Sequence, residues 1–399
     1  MVNRRTKLRR INNTRKTHES DDHHQQVESR ELIDYNDDLL IQILSRLPAD
    51  SIVRFKSVSK HWQSLLSHRE FTLPYDRLSV LRVHGIFYGS SYVHYDTKNP
   101  NQNCPLSRRS PYFHPSSHGI RIVQSCNGLL LCSIVKEIER AREYYVFNPT
   151  TNQLEIVQSI KEGRAVGTRI RFVGLVYHPT EGKHYKLVCM YIIETSRELR
   201  VQIYSSDIKR WKLLSDVYTK YNYPPTFKHG AYVDGGIYWA PFGLFAWHPY
   251  YFNLEEEKLQ KLKLLCPLDP YAGQTVYYFG ESRGHFHMVV MIRCEGGLYL
   301  RIYEMMSDHS GWVVMFQILI EEFLAEFLRT HYFDYSFFKV LDVVRGEKEG
   351  DTFLVLKFPG EIRSYNLLEK SYNKLFDVPT TIEGRTMKAH RYIQTIGLF

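Results

Sequence analysis

The groups in this chain that could hold a metal, attack a carbonyl or move a proton are 18 histidines, six cysteines and 43 acidic residues. His285 and His287 alternate along an apolar run, so on a strand they share one face, which two imidazoles need to hold a metal together. No third ligand stands near them, and a structural or exposed role is expected. His114 and His118 lie four apart, but Pro111 and Pro115 oppose a helix there, so a loop without metal is expected. Cys104, Cys126, Cys132, Cys189, Cys266 and Cys294 are scattered and include no CxxC pair. That argues against a zinc site and against a disulfide framework. Cys126 and Cys132 flank an apolar strand and read as small core residues. Glu255, Glu256 and Glu257 run into Lys258 and read as a solvated turn. There is no GxSxG elbow, no Walker-type phosphate loop and no HExxH pair. The expectation is a protein with no catalytic residues, no cofactor and no metal.

The elements that would position such groups are bounded by composition. The chain has 399 residues, 43% hydrophobic and 24% charged, which is globular and long enough for one small module plus one large domain. Aromatic residues reach 14%, with 29 Tyr and 22 Phe, and these types favour strands. No run of 18 apolar residues exists; the best, Trp312 to Ile320, is interrupted by Gln317 and followed by Glu321, so no membrane span is expected. The opening MVNRRTKLRR has no apolar stretch behind its basic residues and does not read as a secretory signal. With cysteines unpaired in sequence, a reducing compartment, nucleus and/or cytoplasm, is expected.

The formal net charge of +9 invites a nucleic-acid partner, but its distribution argues against one. Arg4, Arg5, Lys7, Arg9, Arg10, Arg15 and Lys16 supply seven of the basic residues, and the rest of the chain holds 45 Lys and Arg against 43 acids. Residues 1–30 read as a disordered basic and polar tail, either simply solvated or a nuclear localisation patch.

Residues 31–73 change character. Leu39, Leu40, Ile43, Leu44 and Leu47 recur at helical spacing behind Asp37 and Asp38, and Pro48 stops that helix. Asp50 or Ser51 is placed to cap a second helix carrying Ile52, Val53, Phe55 and Val58, and Ser59 to cap a third with Trp62, Leu65 and Leu66. Three helices in so few residues cannot bury all this apolar surface, so one face is left for a partner. The stretch DDLLIQILSRLPADSIVRFKSVSKHWQSLLSHREF resembles an F-box, with LxRLP, RFKSVSKHW and SLLSxxxF in order. It departs at Tyr35 and Asn36, where many F-boxes carry a Leu-Pro pair. The resemblance implies docking on the Skp-type adaptor of a cullin-based ubiquitin ligase. By motif position, Leu39, Leu40, Ile43, Leu44, Leu47, Pro48, Ile52, Val53 and Val58 would supply core and adaptor-facing surface together, and sequence does not divide them.

Residues 74–399 switch to short strands and turns. Aromatic anchors at Tyr95, Phe147, Tyr204, Phe252, Tyr303 and Tyr365 recur at gaps of 52, 57, 48, 51 and 62 residues, each preceded by an apolar strand and followed by a polar turn. A period near 50 with several strands per unit predicts an antiparallel β-propeller of about six blades, with a β-sandwich as the alternative. The longest gap contains Ile318 to Arg329, which has helical periodicity and predicts one inserted helix. The pieces SCNGLLLC, YYVFNPTTNQ, YHPTEGKHYKLVCM and YFGESRGHFHMVVM resemble the F-box-associated, kelch-like propeller domain of plant F-box proteins.

The expected fold class is multidomain, α plus all-β. The expected function is target recognition for an SCF-type ubiquitin ligase, with an unidentified target protein and no bond chemistry in this chain. The alternative is a propeller hydrolase or lectin-like protein with a helical docking module, since a propeller can assemble a site from distant blades. Two aromatic groups, Tyr218, Tyr221, Tyr223, Pro224, Pro225 and Phe242, Phe245, Trp247, Tyr250, stand either as target anchors or as packing between blades.

Overall fold

The computed structural model describes residues 36–79, 81–89, 91–96, 120–136, 141–160, 167–216, 218, 227, 230–239, 250–261, 274–308, 310–325, 327, 338–378 and 388–397. The basic tail, His114 and His118, Cys104 and Cys266, and most of the two aromatic groups therefore lie outside the described residues. The chain divides into two compact units, Met1–Tyr75 and Asp76–Phe399.

The first unit is helical. Helix α1 (Asp37–Leu44) starts where Asn36 accepts the backbone N–H of Leu39, and its acidic first turn suits the positive end of the helix. Asn36 thus does the starting work that a Leu-Pro pair does in other sequences. Helix α2 (Ala49–Phe55) begins directly after Pro48, with no side-chain cap. Asp50 and Ser51, the expected caps, fall inside its first turn, because proline already fixes the extended backbone that an N-cap needs. Helix α3 (Lys60–Ser67) is capped as expected, the Ser59 hydroxyl accepting from Trp62 N at 3.1 Å. A fourth helix, α4 (Arg69–Ser79), carries Pro74 in its interior and buries Phe71 and Tyr75, four apart on one face. Its Tyr75 hydroxyl donates to the Leu47 carbonyl at 2.9 Å, tying α4 to the turn after α1.

The second unit is built of five four-stranded antiparallel sheets and one three-stranded sheet, making six blades. Strands β1 (Val83–Tyr88) and β2 (Ser91–His94) open it. Blade two holds β3 (Arg121–Cys126), β4 (Leu129–Lys136), β5 (Ala141–Asn148) and β6 (Gln153–Val157); blade three holds β7 (Thr168–Val176), β8 (Lys186–Ile193), β9 (Glu198–Ser205) and β10 (Arg210–Leu213). Blade four is the short β11 (Ala231–Val233), β12 (Gly236–Trp239), β13 (Tyr250–Asn253) and β14 (Lys258–Lys261). Blade five has β15 (Thr275–Ser282), β16 (His285–Cys294), β17 (Gly297–Met305) and β18 (Trp312–Leu319). Blade six has β19 (Lys339–Val344), β20 (Phe353–Phe358), β21 (Glu361–Asn366) and β22 (Ser371–Asp377). The last strand, β23 (Ala389–Ile393), returns to pair with β1 and completes the first blade, so the two ends of the propeller sequence share one sheet.

The repeat has a physical content. Each of the last five anchors lies on the third strand of its blade, buried and paired with an apolar residue of the second: Leu130 with Phe147, Leu187 with Tyr204, Ile237 with Phe252, Met288 with Tyr303 and Leu354 with Tyr365. Such cross-strand pairs are the unit of sheet stability. The Asn that follows three of these anchors makes the turn. Asn148, Asn253 and Asn366 each accept two backbone N–H groups from the next residues, at 2.8–3.2 Å. Five residues past their anchors, Asn152, Lys209, Glu257 and Lys370 adopt φ of +60, +52, +54 and +53°, the left-handed residue that returns the chain into the fourth strand. Tyr95 departs from this pattern. It lies just past β2, and its hydroxyl leaves the blade for Asp342.

The inserted helix is much shorter than the periodicity of Ile318 to Arg329 predicts. Ile318 and Leu319 finish β18, in register with Leu300 and Tyr299, and among the described residues one helical turn, α5 (Ile320–Phe323), follows. Pairing with β17 overrides local helix propensity there, because an unpaired strand end inside a blade would leave backbone groups unsatisfied. No helix among the described residues is long and apolar enough to cross a membrane.

The ring is closed by a buried charge cluster. Arg391 of β23 donates through Nε to both oxygens of Asp342 of β19 (2.8 and 3.0 Å), through Nη2 to the Val343 carbonyl (2.7 Å), and approaches Glu281 of β15 at 3.3 Å. Tyr95 and Tyr278 donate their hydroxyls to the same carboxylate at 2.7 and 2.9 Å. Burial pushes both phenols well up, so they remain protonated donors. The Asp342 side chain is 2% exposed and that of Arg391 is 13% exposed, so neither charge can be solvated if its partner is lost. Asp342→Ala is expected to cost the propeller about 3–5 kcal/mol, the penalty of stranding one member of a buried pair. The urea midpoint of the propeller transition measures this, and an unchanged midpoint would show that the cluster does not hold the closure.

Candidate functional site

The fold separates what the sequence leaves mixed among the nine docking candidates. Leu40, Leu44 and Ile52 are 0–3% exposed and form the module core with Ala49, Leu66 and Phe71. Leu47 and Val53 are half-buried. Leu39, Ile43 and Val58 are 38, 47 and 61% exposed, and Pro48 is exposed as well. Leu39 and Ile43 lie four apart on α1 and share one face, with Leu40 and Leu44 on the adjoining buried face. Helical periodicity marks both faces as apolar and cannot say which turns inward; packing against α2 and α3 decides it. Trp62 packs edge-on against Phe55 at 5.5 Å, which pins α3 to α2. Nε2 of His61 on α3 lies 2.8 Å from Oδ1 of Asp37 at the start of α1, with both side chains about half exposed. This contact between two chain segments is not visible in either one alone.

The chemistry candidates of the propeller resolve into structural roles. His285 and His287 share a face of β16 and both turn to one carboxylate. His285 Nδ1 and His287 Nε2 each lie 3.1 Å from an oxygen of Glu304 on β17. Arg345, from the connection after β19, reaches the same carboxylate at 2.7 Å. Burial opposes ionisation of Glu304, but the His287 hydrogen bond and the Arg345 charge outweigh it and hold the carboxyl below its ordinary range. His285 is lowered, chiefly by burial. The two imidazoles are thus partners of an anion that an arginine already neutralises, a poor environment for a cation. Among the described residues no group of three potential metal ligands occurs. The thiols of Cys126 and Cys132 are buried and pushed up to about 12, too high for a nucleophile at neutral pH. Glu257 pairs with Lys212 at 2.6 Å across neighbouring blades, consistent with a solvated rim. Of the aromatic groups, Tyr218 bridges to Leu199 of blade three and accepts the Leu259 N–H of blade four on its hydroxyl at 2.7 Å, joining two blades, and Tyr250 packs on Phe227 at 5.9 Å.

The helical module is expected to lose about 1 kcal/mol on Ser59→Ala, which removes the α3 cap. Ile43→Ala is expected to change stability by no more than about 0.5 kcal/mol, since its side chain is half in water. Amide hydrogen exchange across α1–α3 checks both, and equal losses would mean that Ile43 belongs to the core.

Comparison with known proteins meets this geometry at both units. The F-box domain model matches residues 36–73, and the model of the F-box associated beta propeller domain matches residues 90–269, together more than half of the chain. F-box protein At5g07610 of Arabidopsis thaliana is 29% identical over 373 residues, covering 87% of this chain and 86% of its own. Putative F-box protein At4g09190 of the same plant is 26% identical over 310 residues, 72% of each chain. Among solved structures, a chain from a study of two prolyl endopeptidases overlaps 65% of this chain and 36% of its own, with a TM-score of 0.39 at 10% identity, too slight a likeness to carry an argument. With the helical module and residues 90–269 of the propeller unit matched in order, the chain belongs to the plant F-box proteins that carry a C-terminal F-box-associated β-propeller.

Proposed function

We propose that this chain is the substrate-recognition subunit of an SCF-type ubiquitin ligase. Its helical module binds the Skp-type adaptor, and through it the cullin, while the propeller holds a target protein. The chain contributes no bond chemistry of its own. It raises the effective concentration of target lysines near the charged conjugating enzyme. The observation that carries this reading is the water-facing apolar set on the matched F-box segment, Leu39, Ile43, Pro48 and Val58, above a separate buried core of Leu40, Leu44 and Ile52. Apolar side chains held in solvent by a completed core mark a surface awaiting a protein. The rim of such an interface is polar, which suits the neighbouring His61–Asp37 pair. Action in the nucleus and/or cytoplasm accords with the reduced, buried thiols of Cys126 and Cys132 and with a basic leading segment.

The test is retention of the full chain on immobilised Skp-type adaptor. Ile43→Asp combined with Val58→Asp is expected to weaken retention at least about tenfold, since each change sets a charge against an apolar partner, while far-UV ellipticity stays unchanged. Leu44→Asp would instead unfold the module. Undiminished retention of the folded double variant would place docking on another face, and no retention of the unaltered chain would end the proposal.

A further inference from the structure

In four blades the innermost strand carries a bulge at the same place. The register slips between Ile122 and Gln124, Ile170 and Phe172, Val276 and Tyr278, and Val340 and Asp342. The extra residues are Val123, Arg171, Tyr277 and Leu341. Three are apolar or aromatic, and each packs with a core cluster. The fourth, Arg171, is a cation at a position the repeat fills with packing residues. A bulge re-aims its side chain, and a residue that breaks a repeat without a packing reason signals function.

Arg171 opens on a cleft of about 240 Å³ at the leading ends of the inner strands, where β23, β3, β7 and β11 begin. Lys388, just before β23, adds a second positive charge to its lining. Ile170, Phe172 and Phe227 supply apolar wall, and Gly230 leaves one side without a side chain. Gln124 also lines it, but its amide is engaged with the backbone of Leu175 (2.8 and 3.4 Å) and offers Arg171 no partner. No carboxylate lines the cleft among the described residues. Behind the wall, Nε1 of Trp239 is buried without an acceptor, 2.5 Å from where a Cβ on Gly230 would stand.

We propose that this cleft is the target-recognition pocket of the propeller and takes a carboxylate side chain, Asp or Glu, flanked by an apolar residue in an extended target segment. The proposal rests on the reading of the propeller as the target-binding unit. A guanidinium offers paired N–H donors matched to a carboxylate, and the aromatic wall buries the flanking apolar side chain. A phosphate dianion fits less well, because one guanidinium and one ammonium beside apolar walls would strip its larger hydration shell with too little return.

The experiment uses the full chain and fluorescent peptides of sequence Ala-Phe-Glu-Phe-Ala, the same with Gln, and the same with phosphoserine for Glu, followed by anisotropy. Millimolar or tighter binding of the Glu peptide is expected, with the Gln peptide about tenfold weaker, the usual value of one charge-assisted contact. Arg171→Gln is expected to erase that difference, and Arg171→Lys to restore part of it. Both should melt with the unaltered chain, since Arg171 is half-exposed. Equal binding of Glu and Gln peptides, no binding of either, or full binding by Arg171→Gln would overturn the proposal. Tighter binding of the phosphoserine peptide would replace carboxylate by phosphate and overturn it equally. Adaptor retention measured on the same variants separates the outcomes: lost peptide binding with retained adaptor leaves the ligase reading standing.

Discussion

Closure of the ring is the constraint on which the larger unit depends. A linear array of blades ends in two uncovered sheet faces, each leaving apolar side chains in water. Here the final strand β23 pairs with β1, so a single blade contains both ends of the propeller sequence. The Arg391–Asp342 pair then joins that blade to the sixth, and Tyr278 and Glu281 extend the network to the fifth. A buried ion pair contributes little net stability compared with apolar packing, but it has a strong register requirement. Shifting β23 by one residue would turn Arg391 to the opposite face and leave Asp342 buried with the Tyr95 and Tyr278 hydroxyls but without its cation. The last strand is thereby restricted to one alignment, and the inner strands on which the cleft is built are held with it.

A second tether works in the same direction. Asp76, 2% exposed, accepts the backbone N–H groups of Ile396 at 2.9 Å and Gly397 at 3.0 Å. The terminal segment after β23 is thus bound to the start of the propeller unit by a buried carboxylate. Asn148 of blade two donates to the Thr395 carbonyl at 3.2 Å, so three separate segments converge on one short stretch of chain. Loss of the last strand would remove a sheet partner, an ion pair and these polar contacts at once.

The two units use apolar surface in opposite ways. In the propeller, alternation along each strand buries both faces of the second and third strands between neighbouring blades. In the helical module, the short helices bury one stripe and leave another in water. Four short helices do not enclose enough volume to cover both. The leftover stripe is therefore a consequence of size, and it becomes a docking surface when a partner supplies the missing cover.

Local sequence determined a large part of this protein. Apolar spacing, Ser59 as a cap, the near-50-residue period, the anchors and the Asn turns all act within one element or one hairpin, where the energetics depend on residues a few positions apart. The same locality explains what was not legible. The helical period over Ile318 to Arg329 competes with strand pairing to β17, a contact that helical periodicity does not include. Leu39 and Leu40 are equally apolar in sequence, and only packing against α2 and α3 sent one to the core and the other to water. His285 and His287 share a face as their alternation required, but Glu304 and Arg345, on other segments, decided that they clasp a carboxylate. Arg391 and Asp342 carried no motif, and neither the repeat that holds Tyr95 nor the stretch that opens with Tyr278 linked them, since the four are separated by up to hundreds of residues. Their meeting, like that of Arg171 and Lys388 at the cleft, was decided by closure of the ring, which alone sets which distant side chains share a low-dielectric space.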